Sequence, residues 1–179
     1  PRLLEMGIEP FLVASTVNII IAQRLVRRLC DQCKNPIKAD QKITAKIEGF
    51  LKTLPKRVDL KNYQDIQIFS AGGGGGKAKS CPKCALSGYK GRIAIFELLI
   101  NDPEYEKLLA NPNHKNLSSE AGLEELIAKQ AGEASIFEYA LEQGMVTMQA
   151  DGILKVLKGV TTFDEVEEAT GPIRWVKSS

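Results

Sequence analysis

All four cysteines of the chain fall into two C-x-x-C pairs, and this pairing constrains the fold more than any other feature. The pairs are Cys30/Cys33 and Cys81/Cys84, with 47 residues between them. A C-x-x-C turn places two sulfurs on one side of the backbone, so two facing turns supply four thiolates to a tetrahedral Zn²⁺. The pattern predicts a zinc site that holds the residues before Cys30 beside those after Cys84. Disulfides, which need an oxidising compartment, a redox pair and reduced core cysteines are the alternatives.

A site of four thiolates also limits what the metal can do. Four protein ligands fill the coordination sphere of Zn²⁺ and leave no open position for a substrate, so the predicted metal is structural. Arg27, Arg28, Lys34 and Lys83 stand near the cysteines in the sequence. Such cations lower the pKa of nearby thiols and offset an anionic cluster. The alternative is that they are ordinary solvent-exposed charges.

Charge is divided unevenly along the chain. The 179 residues carry a formal net charge of only +2, but residues 1–92 hold 17 Lys and Arg against 7 Asp and Glu, whereas residues 93–179 hold 7 against 15. The small net charge and the few aromatic residues in the basic half argue against nucleic-acid binding. The asymmetry favours contact between the halves, between neighbouring subunits or with an anionic ligand. Two solvated surfaces of different composition are the alternative.

The residues before and between the cysteine pairs contain both helix and strand patterns. Pro10 suits the first position of a helix, and the apolar residues 11–22 predict a largely buried helix. Residues 23–30 fit either a helix or a short strand. Between the pairs, Asp40 is placed as the N-cap of a helix with an apolar stripe. Residues 66–69 then predict a short strand.

Five consecutive glycines, residues 72–76, predict a flexible connector or a loop tip. The last glycine and Lys77 match the end of a phosphate loop. However, Ala71 stands where the first glycine of that motif belongs, and Ala78 replaces its hydroxyl residue. The run is therefore not a phosphate loop. His114, which lies in a polar stretch, is expected to be an exposed loop residue and not a catalytic one.

After the second cysteine pair, the sequence predicts a strand and then a helical region. Residues 88–92 predict a turn, and residues 93–100 form the most strand-like segment of the chain. A metal that joins the two pairs places this strand beside residues 26–29. Cap residues then mark short helices with apolar stripes. The helix starts are placed at Asp102, at Ser118 or Ser119, and at Ser135, Thr147 and Thr162.

Several motifs follow one another in an order that resembles a known family. They are Gly7-Ile8-Glu9-Pro10-Phe11, Gln23-Arg24-Leu25-Val26-Arg27-Arg28-Leu29-Cys30-x-x-Cys33, Cys81-x-x-Cys84-x-x-x-Gly88-Tyr89-x-Gly91-Arg92, Glu97-Leu98-Leu99 and Asp151-Gly152-x-x-Lys155-Val156-x-x-Gly159-Val160-Thr161-Thr162-x-x-Glu165-Val166. Together they resemble the C-terminal part of the secretion ATPases that drive type II secretion and type IV pilus assembly. The resemblance covers nearly the whole chain apart from residues 34–79 and the acidic linker helices.

The patterns and the resemblance together imply an α+β fold that is mostly helical. By resemblance, residues 1–29 are the end of a RecA-like motor core with a short sheet edge. Residues 30–100 are a four-cysteine zinc subdomain with an insert and a return strand, and residues 101–179 are a C-terminal helical bundle. The family usually has a shorter stretch between the cysteine pairs, so residues 34–79 are treated as an insert.

The resemblance also implies a machine. The complete motor is a hexamer that uses ATP and Mg²⁺ at the cytoplasmic face of the bacterial inner membrane and acts through an inner-membrane platform protein. The phosphate loop and acidic catalytic boxes of the family lie upstream of the part matched here. No catalytic residue is therefore assigned, and the chain is not expected to hydrolyse ATP alone. Arg24 and Arg92 are candidate contacts to a nucleotide or a neighbouring subunit, with a structural salt bridge or a strand-edge role as the alternative.

Three functional hypotheses follow. The first is a zinc-stapled segment of such an ATPase, with a structural and subunit-coupling role. The second is a stand-alone zinc-stapled protein-interaction module derived from the same family. The third, a nucleic-acid-binding zinc module, is disfavoured by the charge distribution. These motifs are shared by type II secretion, type IV pilus and competence machines, and they fit either a fragment of a longer motor or a degenerate homologue.

Overall fold

The fold is built from short helices, one long pair of strands and one short pair. The computed structural model of the chain describes residues 2–56, 58–63, 66–72, 81–101 and 122–175. Helical residues outnumber strand residues within these ranges. The predicted α+β class is confirmed. No described helix has the length and hydropathy needed to cross a bilayer.

The N-terminal part contains two short helices and then a long strand. Helix α1 covers Arg2–Glu5, helix α2 covers Pro10–Thr16 and strand β1 covers Ile19–Leu29. Pro10 occupies the first turn of α2, as predicted. The predicted helix over residues 11–22 is wrong in its second half, where consecutive β-branched residues favour the extended backbone. Its predicted burial is also wrong, since Phe11 is 70% exposed.

Strand β1 pairs with strand β4, which covers Tyr89–Ile100. At one end the amide of Asn101 donates to the carbonyl of Asn18 over 2.8 Å, and at the other end the amide of Cys30 donates to the carbonyl of Gly88 over 2.9 Å. The start of each strand therefore lies beside the end of the other, which makes the pair antiparallel. The predicted strand over residues 93–100 is confirmed as part of β4, and its partner is β1. Strand β4 begins earlier than predicted, inside the expected turn, so residues 26–29 lie beside the first residues of β4.

The stretch between the cysteine pairs forms its own small elements. They are strand β2 (Asn35–Ile37), helix α3 (Gln41–Thr53), a 3₁₀ turn (Leu60–Tyr63) and strand β3 (Ile68–Ser70). Strands β2 and β3 are antiparallel, with Pro36 opposite Phe69. Asp40 caps α3 as predicted, because its carboxylate accepts a hydrogen bond from the amide of Ile43 over 2.6 Å. Most of the glycine run, from residue 73 onward, lies outside the described residues.

Four helices follow β4 among the described residues. They are α4 (Leu123–Ala128), α5 (Glu133–Glu142), α6 (Met148–Leu157) and α7 (Phe163–Thr170). The side chains of Thr147 and Thr162 cap α6 and α7, as predicted. The start predicted at Ser135 is wrong, because α5 begins after Gly132, which takes the extended N-cap conformation. Helix α4 begins after Gly122 in the same conformation, and the start predicted at Ser118 or Ser119 lies outside the described residues. The helix start predicted at Asp102 and the loop residue His114 lie outside the described residues.

The chain divides into two compact units, and the division passes through both long strands. The first unit contains residues 1–22 and 97–146, and in it α2 packs against α4. The buried side chain of Asn101 donates to the carbonyls of Ala14 and Val17 at the end of α2. This side chain satisfies carbonyls that a helix end leaves without intrahelical partners.

The second unit contains residues 23–96 and 147–179, and its core lies between α6 and α7. Gly152 allows these two helices to approach, because a Cβ at this position would lie 2.7 Å from a side-chain carbon of the fully buried Val166. The same unit holds all four cysteines. It therefore positions the candidate site.

Candidate metal centre

The structure brings all four cysteine thiols together in one buried cluster. Every Sγ atom lies within 4.8 Å of the others. The Sγ atoms of Cys30 and Cys81 are 3.9 Å apart, and those of Cys33 and Cys84 are 3.6 Å apart. A tetrahedral ion with Zn–S bonds of about 2.3 Å needs sulfurs about 3.8 Å apart. The four residues therefore fit a four-coordinate metal ion.

Two different turns present the thiols. Cys30 directly follows β1, and its carbonyl accepts hydrogen bonds from the amides of Cys33 and Lys34, which closes the first turn. The second turn is the short 3₁₀ segment Pro82–Cys84, followed by Ala85 and Leu86 at φ values of 47° and 67°. Left-handed backbone is uncommon for residues with a side chain. The amides of Leu86 and Ser87 donate to the carbonyls of Cys81 and Cys84, which closes the second turn.

The thiols differ in their electrostatic surroundings. Burial raises the pKa of Cys33 to about 12. Burial also acts to raise the pKa of Cys84, but the amide of Gly88 donates to its sulfur over 3.4 Å and, with the neighbouring thiols, lowers that pKa to about 7. Four buried thiolates need a cation to compensate their charge. A divalent ion held by these four residues would supply that charge and would deprotonate the coordinating thiols.

The predicted arginine contacts lie away from this cluster. Arg24 and Arg92 are both exposed, and neither forms an ion pair or a side-chain hydrogen bond within the described ranges. The structure therefore assigns them no partner among these residues. Their predicted role toward a nucleotide or a neighbouring subunit stays a prediction.

Glu165 is a functional candidate that sequence reasoning missed. It is only 5% exposed, and its carboxylate accepts hydrogen bonds from the backbone amide and the guanidinium of Arg27, both over 2.9 Å. The spacing of Thr162 and Glu165 predicts a capping box. Only half of that box forms, since the hydroxyl of Thr162 accepts from the amide of Glu165 while the carboxylate binds Arg27 instead.

The same ion pair determines two pKa values. Burial acts to raise the pKa of Glu165, but the hydrogen bonds from Arg27 outweigh it and hold this pKa below its ordinary value. The carboxylate in turn raises the pKa of Arg27. The guanidinium also lies over the ring of Tyr89, 4.4 Å from the centroid. Arg27, expected to be a solvent-exposed charge or a neighbour of the thiols, is bound on two sides.

Residues 159–165, here called the interhelix segment, comprise most of the connection from α6 to α7 and the first turn of α7, and they run along the edge of β1 opposite β4. The amide of Leu29 donates to the carbonyl of Val160 over 2.8 Å, and the hydroxyl of Thr161 donates to the carbonyl of Arg27 over 2.9 Å. The ammonium of Lys34 donates to the carbonyl of Gly159 over 2.9 Å. The segment is therefore attached to the strand that leads into the first cysteine pair.

Comparison with known proteins gives a consistent result. A family model described as "Type II/IV secretion system protein" matches residues 1–168. The "Type II secretion system ATPase E" of Vibrio cholerae is 35% identical over 94% of this chain and 26% of its own length. The "Type IV pilus assembly ATPase PilB" is 33% identical in Myxococcus xanthus, over 97% of this chain and 25% of that protein. The protein of the same name in Thermus thermophilus is 36% identical, over 92% of this chain and 15% of its own length.

The chain spans about a quarter of the length, or less, of these curated relatives. The family match includes the whole first unit, most of the second and all four cysteines. This chain belongs to the type II/IV secretion system protein family.

Proposed function

We propose that this chain is the zinc-stapled C-terminal segment of a hexameric ATPase that powers type II secretion or type IV pilus assembly. Its role is structural and subunit-coupling. The observation that supports the proposal is the buried cluster of four thiols at the end of the β1–β4 pair. It occurs in a family whose curated relatives are named as secretion and pilus-assembly ATPases.

Zn²⁺ in this proposal acts as a staple. It joins Cys30 and Cys33, at the end of β1, to Cys81 and Cys84, just before β4. Four sulfur ligands leave no position for a substrate, so the ion stabilises the fold and does no chemistry. Because metal binding energy is folding energy, loss of one ligand unfolds residues 30–92 locally.

ATP and Mg²⁺ belong to the complete motor in this proposal. The sequence of this chain holds no phosphate loop, so it does not hydrolyse ATP by itself. Arg24 and Arg92, both exposed, are available to a nucleotide or a neighbouring subunit. The domain assignment is residues 1–29 to the end of the RecA-like core, 30–100 to the metal subdomain and 101–179 to the helical subdomain.

The proposed partners are further copies of the motor and an inner-membrane platform protein. The motor works in the bacterial cytoplasm, at the periphery of the inner membrane. A nucleic acid is not a partner. In this proposal the ATP-hydrolysing part of the motor generates the movement, and this segment transmits it to neighbouring subunits.

Two measurements test the proposal. Elemental analysis of the purified 179-residue chain should find about one zinc per chain, and the chain should show no ATP hydrolysis. The chain joined to the motor sequence that precedes it in its gene should hydrolyse ATP and form hexamers, and Cys33→Ser should reduce both. A chain without zinc, or one that hydrolyses ATP alone, contradicts the proposal.

A further inference from the structure

Three residues beside the cysteine cluster each contact the interhelix segment. Arg27, just before Cys30, binds Glu165. Lys34, directly after Cys33, donates to Gly159. The hydroxyl of Tyr89, which follows the Gly88 amide that binds Cys84, lies 3.1 Å from the hydroxyl of Thr162. Both cysteine turns are therefore connected to the segment that joins α6 to α7, all within the second unit.

Glu165 makes the strongest of these contacts. It is a buried carboxylate in the first turn of α7, and it binds both the backbone and the side chain of Arg27. Hydrogen bonds to a charged acceptor are roughly twice as strong as neutral ones. A bond to the backbone amide fixes the path of the strand itself. Glu165 therefore restrains the end of β1, from which Cys30 extends.

We propose that Glu165 is a positioning residue for the metal centre, so that metal binding and the docking of α6 and α7 onto β1 stabilise each other. The inference rests on the proposed zinc site and adds a residue that lies outside the cysteine turns. Glu165 acts through Arg27 and does not touch the metal. Coupling between two equilibria is reciprocal. If docking of α6 and α7 strengthens zinc binding by a given free energy, bound zinc stabilises the docked helices by the same free energy.

The surroundings of Lys34 also link the first cysteine turn to the interhelix segment. Lys34 also lies over the ring of Phe69, 5.0 Å from its centroid, and a Cβ on Gly159 would lie 2.6 Å from that ring. Strand β3 therefore packs against the C-terminal end of α6 beside the first cysteine turn. A displacement of the interhelix segment breaks contacts to both cysteine turns at once.

The test is the rate at which zinc leaves the 179-residue chain for an excess of a chromogenic chelator. Glu165→Gln keeps the shape and an acceptor oxygen but removes the charge. We expect zinc release from this variant to be about tenfold faster than from the wild type, within the usual range of coupling between sites. Release at the wild-type rate from a variant that binds about one zinc per chain overturns the proposal.

Asp151→Asn is the matched control. Asp151 lies on α6 in the same unit, accepts a hydrogen bond from the amide of Phe96 and pairs with Lys155. Among the residues that the structure describes, none of the side-chain contacts of Asp151 reaches a cysteine turn or the interhelix segment. We expect this variant to lose stability while its zinc release stays within about twofold of the wild type. Equal acceleration by both variants indicates a general loss of stability and overturns the positioning role.

Tyr89→Phe provides a second variant that removes one hydroxyl and keeps the ring under Arg27. It should fold normally and release zinc a few-fold faster than the wild type. The test can therefore be completed with this variant even where Glu165→Gln does not fold. Hydrogen exchange adds an independent readout, since chelation should speed exchange at the Arg27 amide. Absence of zinc from the wild type contradicts the proposed function. Bound zinc with unchanged rates in both variants contradicts only the positioning role.

Discussion

Arg27 and Glu165 lie 138 positions apart in the sequence, yet the carboxylate of Glu165 accepts hydrogen bonds from both the backbone amide and the guanidinium of Arg27. Arg27 belongs to the basic part of the chain and Glu165 to the acidic part. Their contact is one place where the uneven charge distribution is used within the fold. It lies in the second unit, beside the strand end that carries the first cysteine pair.

Glu165→Gln should change how stability depends on pH. The pKa of Glu165 is held below 4.5, so its contribution to stability is complete above about pH 4.5 and is lost as pH falls through the folded-state value. We expect the variant to lose about 1–2 kcal/mol at pH 7, since the Arg27 end is half exposed and partly screened. The loss should shrink at pH 3. Urea titration at both pH values measures it, with the exposed Glu168→Gln as control.

Removal of the metal should destabilise the second unit. Cys84→Ser is expected to reduce the zinc content from about one ion per chain to near zero, because three remaining thiols bind the ion far less tightly. Hydrogen exchange in residues 81–92 should then approach the unfolded rate. The neighbouring Lys83→Ala, at an exposed position, should retain zinc and protection. A zinc-free variant with unchanged exchange would contradict the structural role of the metal.

Gly152→Ala should be costly although alanine favours helices. A Cβ there would lie 2.7 Å from the Val166 side chain, so α6 and α7 must separate. Overpacking of this kind costs about 1–3 kcal/mol. Gly49→Ala in α3 is the control, since a Cβ there meets nothing within 4 Å, and it should gain up to about 1 kcal/mol. Thermal unfolding compares the two, and recovery in Gly152→Ala/Val166→Ala identifies the clash.

Asn101→Ala should destabilise the first unit. The change leaves the carbonyls of Ala14 and Val17 without the amide that now donates to them, at a cost of about 2 kcal/mol. Hydrogen exchange of α2 should accelerate, with little change in residues 147–170. Ser15→Ala, whose hydroxyl bonds exposed carbonyls of the same helix, should have less than half this effect. Equal effects of the two changes would show that the Asn101 side chain is not a specific cap.

Local signals in the sequence were sufficient for several elements. Asp40, Thr147 and Thr162 each cap a helix, because a side-chain oxygen that accepts from an amide three residues on is a short-range feature. The strand pairing beside the cysteines was also predictable, since a metal site predicted to use all four thiols requires the two turns to lie together. Each of these features depends on a few residues and on a single physical requirement.

Other features depended on contacts that no local pattern encodes. The apolar pattern of residues 11–22 predicts one helix, but residues 19–22 belong to strand β1, which pairs with β4. Ser135 stands at capping-box spacing, yet α5 begins at Glu133. The partner of Glu165 lies in a distant part of the chain, and opposite charge was the only signal available. For residues 19–22 the pairing with β4 adds to the local preference of β-branched residues, and for Glu165 a tertiary contact decides the partner.

The two halves of the thiol cluster are 51 residues apart in the chain, as the pairing of Cys30 with Cys81 shows. At about 5–20 residues per second, a ribosome synthesises the second pair on the order of 3–10 s after the first. During that interval the first pair is a two-thiol half-site, which competing thiol-binding metals can occupy. Under the proposed function, a complete zinc site therefore exists only after the second pair has been synthesised, and metal insertion is a late event in biosynthesis.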